Sequence, residues 1–241
     1  MASPDKVRPA ILWKSTGVLL QRVGGFLISI VLARLVAPEE FGLIAMMLLF
    51  TGLAALFIDS GFSSALIQKQ DHSHKDECTV FWFNILAGTV AALCLVLIAP
   101  WIAGFYGHPI LESLTWIMAA NLWIGAWISV HTALLSKKLN FQIQTKASGT
   151  AIICSGLVAI ILAFKGWGVW ALAVQTITAT SVNAVIIWVL HSWRPSRLFS
   201  LDSLRNLYQF GVYMFLSGLL NLFGTQLHSV LVGKFYSASM L

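Results

Sequence analysis

The chain of 241 residues is 58% hydrophobic and only 10% charged, with a mean hydropathy of +0.83, which excludes a water-soluble globular domain. Its formal charge of +6 comes without any Lys/Arg-rich run interleaved with aromatics, so nucleic acid is excluded as a partner. What remains is an all-α, polytopic membrane helix bundle whose first partner is the lipid bilayer.

In chain order, Lys6, Arg8 and Lys14 precede a first apolar span over 11–33. That run is too long for a secretory signal and is interrupted by Arg22. No small-x-small cleavage site precedes Pro38-Glu39-Glu40, so the span reads as a retained helix. Further spans are expected over 41–66, 79–101, 112–136, 147–164, 168–190 and 211–232. Each approaches or exceeds the roughly 20 helical residues that a hydrocarbon core of about 30 Å requires. Trp13, Trp82, Trp101, Trp116, Trp167, Trp193 and Tyr106 fall near predicted ends and read as interfacial anchors. His72 and His74, beside Asp71 and Asp76, read as a solvated loop, with adventitious metal binding as the alternative. Cys78, Cys94 and Cys154 have no CxxC or Cys/His spacing and read as small buried hydrophobes, so neither metal nor cofactor is expected. Arg194-Pro195 ends the sixth helix. Two stretches, 137–142 and 201–208, have the spacing of short helices lying on the membrane surface.

Charge fixes the orientation. With the N-terminus inside, the inner segments carry Lys6, Arg8, Lys14, Lys69, Lys75, Lys137, Lys138, Lys146, Arg194, Arg197 and Arg205, and the outer ones only Arg34, Lys165 and Lys234. The bias alternates correctly at every connection, so the lysine-rich turns are expected to face the cytoplasm. No extramembrane segment is long enough for a soluble catalytic domain, and no paired carboxylates or nucleotide-binding loop stand in the outer connections; an enzyme is not expected.

An internal repeat runs at an offset of about 200 residues. Leu19-Leu20-Gln21, Gly24, Leu27, Ser29 and Arg34 align with Leu219-Leu220-Asn221, Gly224, Leu227, Ser229 and Lys234. Repeats of this kind are frequent in secondary transporters, with the substrate site between the halves. The expected organisation is a six-helix unit over 1–200, then a surface helix and the first helix of a second unit over 201–241. On this reading the chain is a fragment of a longer protein.

Polar residues inside the spans are costly against lipid, about 2.5–3.5 kcal/mol for a central Arg or Asp. Arg22 lies roughly 13 Å along the first helix from Trp13, and Asp59 roughly 12 Å from the inner end of the second span. Similar depth on consecutive antiparallel helices makes a buried ion pair one reading and a ligand-binding Arg22 the other. Asp59 is open to either role, as partner of Arg22 or as a group that couples ion movement. Asn221, Thr225 and His228 share one face of the seventh span, and Thr176, Thr180 and Asn183 one face of the sixth. Interhelical hydrogen bonds and a hydrophilic cavity wall both account for them. Asn84, Asn121 and His131 stand alone and read as satisfied helix contacts.

A set of short motifs adds a family. These are Leu32-Ala33-Arg34-Leu35 with Pro38 and Phe41-Gly42; Asp59-Ser60-Gly61-Phe62 with Ala65-Leu66-Ile67-Gln68; and Phe81-Trp82-Phe83-Asn84. They continue with Ala99-Pro100, Phe105-Tyr106 and Pro109, then Leu139-Asn140-Phe141 and Gly166 through Leu172. Arg194-Pro195, Phe199-Ser200 and Phe210-Gly211 complete them. In this order and spacing the chain resembles the Wzx-like polysaccharide flippases of the multidrug/oligosaccharidyl-lipid/polysaccharide superfamily. The resemblance implies two six-helix lobes around a central cavity in the bacterial inner membrane. It implies a lipid-linked oligosaccharide substrate carried on undecaprenyl pyrophosphate, and other polysaccharide-assembly proteins as partners. Arg22, with Asn221, Thr225 and His228, would then bind substrate. A cation-coupled multidrug exporter of the same superfamily and a membrane glycosyltransferase or polymerase are the alternatives.

Overall fold

The structure, a computed structural model, describes the backbone of residues 4–59, 61–68 and 73–235, and the side chains of 9–58, 61–67, 73–205 and 211–225. These residues form α1 (Pro4–Leu35), α2 (Pro38–Asp59), α3 (Phe62–Gln68), α4 (His74–Tyr106), α5 (Ile110–Lys137), α6 (Phe141–Phe164), α7 (Val169–Leu190) and α8 (Leu201–Phe235). Among the described residues α1, α2 and α4 to α7 are long and apolar enough to cross a membrane, and Gly211–Thr225 adds a shorter apolar stretch of α8. The chain is thus an all-α polytopic membrane bundle. Its centre is built from α2, α4, α5 and α7; α6 packs on α7 and carries α1, while α8 lies against α2, α3 and α4.

Three boundaries differ from the hydropathy reading. The span expected over 41–66 is broken: α2 ends at Asp59, and α3 starts after Gly61, whose φ of +73° is left-handed. Hydropathy sees one apolar run there because a single residue of reversed handedness leaves no trace in it. The stretch 137–142 is no surface helix. Leu139 takes φ +56°, the Asn140 amide bonds the Leu135 carbonyl at 2.9 Å, and α6 begins at Phe141. The surface helix expected near 201–208 and the seventh span are one continuous helix of 35 residues, since no proline interrupts them.

Helix ends follow local chemistry. Ser73 caps α4 reciprocally with Asp76: the Asp76 amide donates to Ser73 Oγ at 3.2 Å, and the Ser73 amide to Asp76 Oδ2 at 3.1 Å. Gly107, at φ +74°, closes the same helix.

The α1–α6 seam is made by small residues. A methyl at Gly17 would fall 2.6 Å from Thr145 Oγ1, one at Gly149 2.6 Å from Leu20 Cδ2, and one at Gly24 3.1 Å from Ile152 Cγ2; one at Gly156 would overlap Ile28. Both helices therefore advance together, 17, 20, 24, 28 against 145, 149, 152, 156. They run parallel, with large residues of each seated on glycines of the other.

The aromatic anchors divide. Trp101, Trp116 and Trp167 are exposed, as expected of interfacial residues, whereas Tyr106 is buried and Trp82 and Trp193 pack on the Phe62–Phe81–Leu134 core. Their polar atoms explain this: Trp82 Nε1 donates to the Ser196 carbonyl at 2.9 Å, and Trp193 Nε1 to Glu77 Oε2 at 2.6 Å.

Candidate functional site: a polar cavity and the tie beside it

Four helices leave a cavity of about 310 Å³ at the end of the bundle that carries Lys138 and Lys146. Its wall includes Lys14 and Gln21 of α1, Thr132 of α5, Gln144 and Ser148 of α6, and Asn183 of α7. Gln144 Nε2 spans the gap to α5, donating to the Thr132 carbonyl at 2.9 Å and to Ser136 Oγ at 3.0 Å. Lys14 Nζ sits 5.1 Å from the centroid of Phe141, a contact that positions the ammonium without neutralising it. Asn183 Oδ1 is buried and accepts no hydrogen bond. Across α5 a second polar pocket of about 240 Å³ is lined by Ser63, Ser64 and Ser129, and shares Thr132 and Ser136. Asn84 bridges its back wall, Nδ2 donating to Ser129 Oγ at 2.7 Å and Ser63 Oγ at 3.3 Å, while Oδ1 has no partner.

Beside these cavities the connection between α7 and α8 is tied to α4 and α5. His74 Nε2 lies 2.8 Å from Ser196 Oγ, and its Nδ1 3.2 Å from Glu77 Oε2. The Ser196 amide donates to Cys78 Sγ at 3.2 Å. His131 Nδ1 meets His191 Nδ1 at 3.0 Å, one ring donating and the other accepting, with Trp188 and Trp193 stacked around His131. Arg194 clamps the end of α7 through the Trp188 carbonyl at 2.8 Å and the His191 carbonyl. His72 and Asp71 lie outside the described residues; the His74 side chain is 48% exposed and at the same time ties the start of α4 to Ser196. The spacing gave no hint of this, because its partner Ser196 is 122 residues away.

The tie titrates. Burial first, then the charges of Lys138 and Arg194, hold the His191 imidazole below its ordinary value of 6.5, against the opposing pull of Glu77. Above that value the ring is neutral both folded and unfolded. Below it the unfolded ring takes up a proton that the folded ring resists, so stability falls as pH drops from 6.5 toward the depressed folded value. Resistance to thermal unfolding in detergent is expected to weaken as pH falls through and below 6.5, and His191→Gln to flatten that slope. Equal slopes in the two proteins would remove His191 from the cause.

The residues singled out in the sequence are spread over the bundle. Arg22 is exposed on α1 and has no hydrogen bond or ion pair among the described residues; its neighbour Gln21 lines the cavity. Asp59 ends α2, but its side chain lies outside the described residues, as does that of His228. Helix α1 packs chiefly on α6, whereas α2 packs on α4, α5, α7 and α8. Asn221 and Thr225 are exposed on α8, where Thr225 Oγ1 bonds its own helix at the Asn221 carbonyl, 2.9 Å away. On α7, Thr176 and Thr180 likewise bond their own backbone at 3.1 and 3.2 Å. Asn183 of that trio lines the cavity described above. Of the residues read as satisfied contacts, Asn84 and His131 each keep one buried polar atom without a partner, and so does Asn121.

Comparison with known proteins assigns the family. The profile of the polysaccharide biosynthesis proteins matches residues 31–241. The teichuronic acid biosynthesis protein TuaB of Bacillus subtilis (strain 168) is 28% identical over 79% of this chain and 40% of its own length. The succinoglycan biosynthesis transport protein ExoT of Rhizobium meliloti (strain 1021) is 27% identical over 87% and 42%. The lipopolysaccharide biosynthesis protein WzxC of Escherichia coli (strain K12) is 23% identical over 100% and 49%. The chain thus spans less than half the length of these curated relatives. No solved structure matches it. With the profile running from Val31 to the last residue over a bundle of membrane-spanning helices, the chain belongs to the polysaccharide biosynthesis protein family.

Proposed function

We propose that this chain is the first lobe of a flippase that moves an undecaprenyl-pyrophosphate-linked oligosaccharide across the bacterial inner membrane for capsule, exopolysaccharide or O-antigen assembly. The observation that carries the reading is Arg22, an exposed arginine within a membrane-spanning helix and without an ion-pair partner among the described residues. Against acyl chains that position costs about 2.5–3.5 kcal/mol, so the face it occupies is better suited to a polar passage shared with a second lobe. A guanidinium there pairs bidentately with phosphate and keeps its charge at every physiological pH. In this scheme the sugars traverse the polar lumen, the lipid tail stays in the bilayer, and the protein performs no covalent chemistry. Asn221, Thr225 and His228 of α8 belong to the opposite wall of the passage, and Asp59 is the group that exchanges with the phosphate for Arg22.

The test is transport by the full-length protein in proteoliposomes loaded with a fluorescent undecaprenyl-pyrophosphate oligosaccharide. Wild type should expose the sugar to an external lectin. Arg22→Ala should lower the rate by about a hundredfold at unchanged membrane level, and Arg22→Lys by about tenfold, because the ammonium lacks the fork. Wild-type rates in the Arg22→Ala protein would overturn the assignment. So would loss of folding in each of Arg22→Ala and Asp59→Ala with recovery in the double variant, the signature of a purely structural pair.

A further inference from the structure

The cavity between α1, α5, α6 and α7 has a chemistry that points to an occupant. Its wall carries one full charge, Lys14, and among the described lining residues no carboxylate offsets it. A cation would be repelled, whereas an anion gains a charge-assisted partner. Beside apolar Val18, Phe141 and Ile187 the wall carries the amides of Gln21 and Gln144 and the hydroxyls of Thr132, Ser136 and Ser148, which suit a hydrated, hydrogen-bonding group. Asn183 also lines the cavity, and its Oδ1 is a buried acceptor with nothing donating to it. Leaving such an atom empty is costly, so the occupant is expected to bring a donor. Gln144 cannot supply it, because its amide nitrogen is already committed to Thr132 and Ser136. Size narrows the choice further. At about 310 Å³ the space lies at the lower end of ligand pockets, roughly 300–1,000 Å³, enough for one small head group and not for an oligosaccharide.

From these features we infer that the cavity binds a hydroxyl-bearing phosphate ester, with Lys14 pairing to the phosphate and Asn183 accepting from a hydroxyl. Two sources present this chemistry: the head group of an anionic glycerophospholipid entering from the leaflet, and a soluble sugar phosphate entering from the aqueous side. The site is separate from Arg22, which is not in the cavity wall, and it stands whether or not the bundle carries a lipid-linked sugar. Its position also has a mechanical meaning. Lys14 and Gln21 belong to α1, and the other named lining residues to α5, α6 and α7, so an occupant joins α1 to the rest of the bundle at the Gly17–Thr145 end of the seam.

The experiment is native mass spectrometry of the 241-residue chain in a non-ionic detergent, titrated with short-chain phosphatidylglycerol, short-chain phosphatidylethanolamine, glucose 1-phosphate, inorganic phosphate and glucose. Phosphatidylglycerol retained at least about tenfold better than phosphatidylethanolamine supports the site and names lipid as the source. Glucose 1-phosphate retained about tenfold better than both inorganic phosphate and glucose supports it with a soluble source. Lys14→Gln should reduce the retained ligand about tenfold or more, and Asn183→Leu severalfold, while Lys75→Gln, an exposed lysine outside the cavity, leaves it unchanged. Thermal unfolding of each variant checks that it is folded; should Lys14→Gln fail that check, Asn183→Leu carries the test. Retention of phosphatidylethanolamine or inorganic phosphate equal to that of the hydroxylated esters means adventitious association only and overturns the inference. Full retention by the folded Lys14→Gln or Asn183→Leu protein does the same. Because no step here involves transport, failure of this site leaves the Arg22 assay intact, and the reverse holds.

Discussion

Gly156→Leu should detach α1 from the bundle. The glycine lies where Ile28 crosses α6, and a methyl alone would already overlap that side chain. Ile28 is β-branched and held in a cluster with Leu32, Ala159 and Ala163, so it has little freedom to turn aside. Overpacking at one rigid point costs about 1–3 kcal/mol. Here the cost spreads, because a shift of α1 large enough to admit leucine also lifts Leu20 off Gly149 and Thr145 off Gly17. Thr145 Oγ1 would then lose its bond to the Trp13 carbonyl, 2.8 Å long. Membrane level and the detergent unfolding midpoint should both fall sharply. Gly25→Leu is the control: it is on α1, the other helix of the seam, with nothing within 4 Å, and should leave both near wild type. If Gly156→Leu unfolds at the wild-type midpoint, the seam does not hold α1.

Gly61→Val should separate α8 from α3. Gly61 holds φ +73°, a conformation that costs an L-residue roughly 1–2 kcal/mol and a β-branched one more. Independently, a methyl there would meet the backbone of Gly211, with its Cα at 2.9 Å and its carbonyl closer still. Backbone cannot rotate out of the way, so the variant must either straighten the turn between α2 and α3 or move α8. Either change opens the connection over 191–200, which Ser200 anchors through its amide to Thr79 Oγ1 at 3.1 Å. The expected reading is faster protease cleavage within 191–200 in detergent, together with a lower unfolding midpoint. Gly104→Val, in a helix with nothing nearby, should change neither. Cleavage at the wild-type rate in Gly61→Val would show that α8 does not depend on this contact.

The bundle was legible in the sequence because its signals are additive. Apolar length locates helices residue by residue: α4 to α6 contain the spans expected from it, and α7 all of its span but the capping Gly168. What escaped were features decided by one residue or by distant pairs. The break at Gly61 and the turn at Leu139 depend on single positive φ values, which hydropathy averages away. The polar cavity escaped for another reason. Gln21 of α1, Gln144 and Ser148 of α6 and Asn183 of α7 come from three helices, and only packing brings them to one wall. Arg22 and Asp59 were conspicuous as charges in apolar runs. Arg22 lies exposed on α1, which packs chiefly on α6, and the Asp59 side chain lies outside the described residues. Asn183 was visible as part of a periodic polar face. Its two companions satisfy themselves on their own backbone, and Asn183 does not.

The parallel pairing of α1 with α6 has a temporal side. Trp13 and Thr145, which bond across it, are 132 residues apart. A ribosome adding about 5–20 residues per second leaves roughly 7–26 s between their appearances. For that interval the first helix resides in the bilayer with its glycine face unaccompanied by the segment that later docks there. Biogenesis of this protein therefore includes a waiting period, and anything that holds a nascent basic helix in the meantime, whether insertase, anionic lipid or a neighbouring chain, acts before the fold exists.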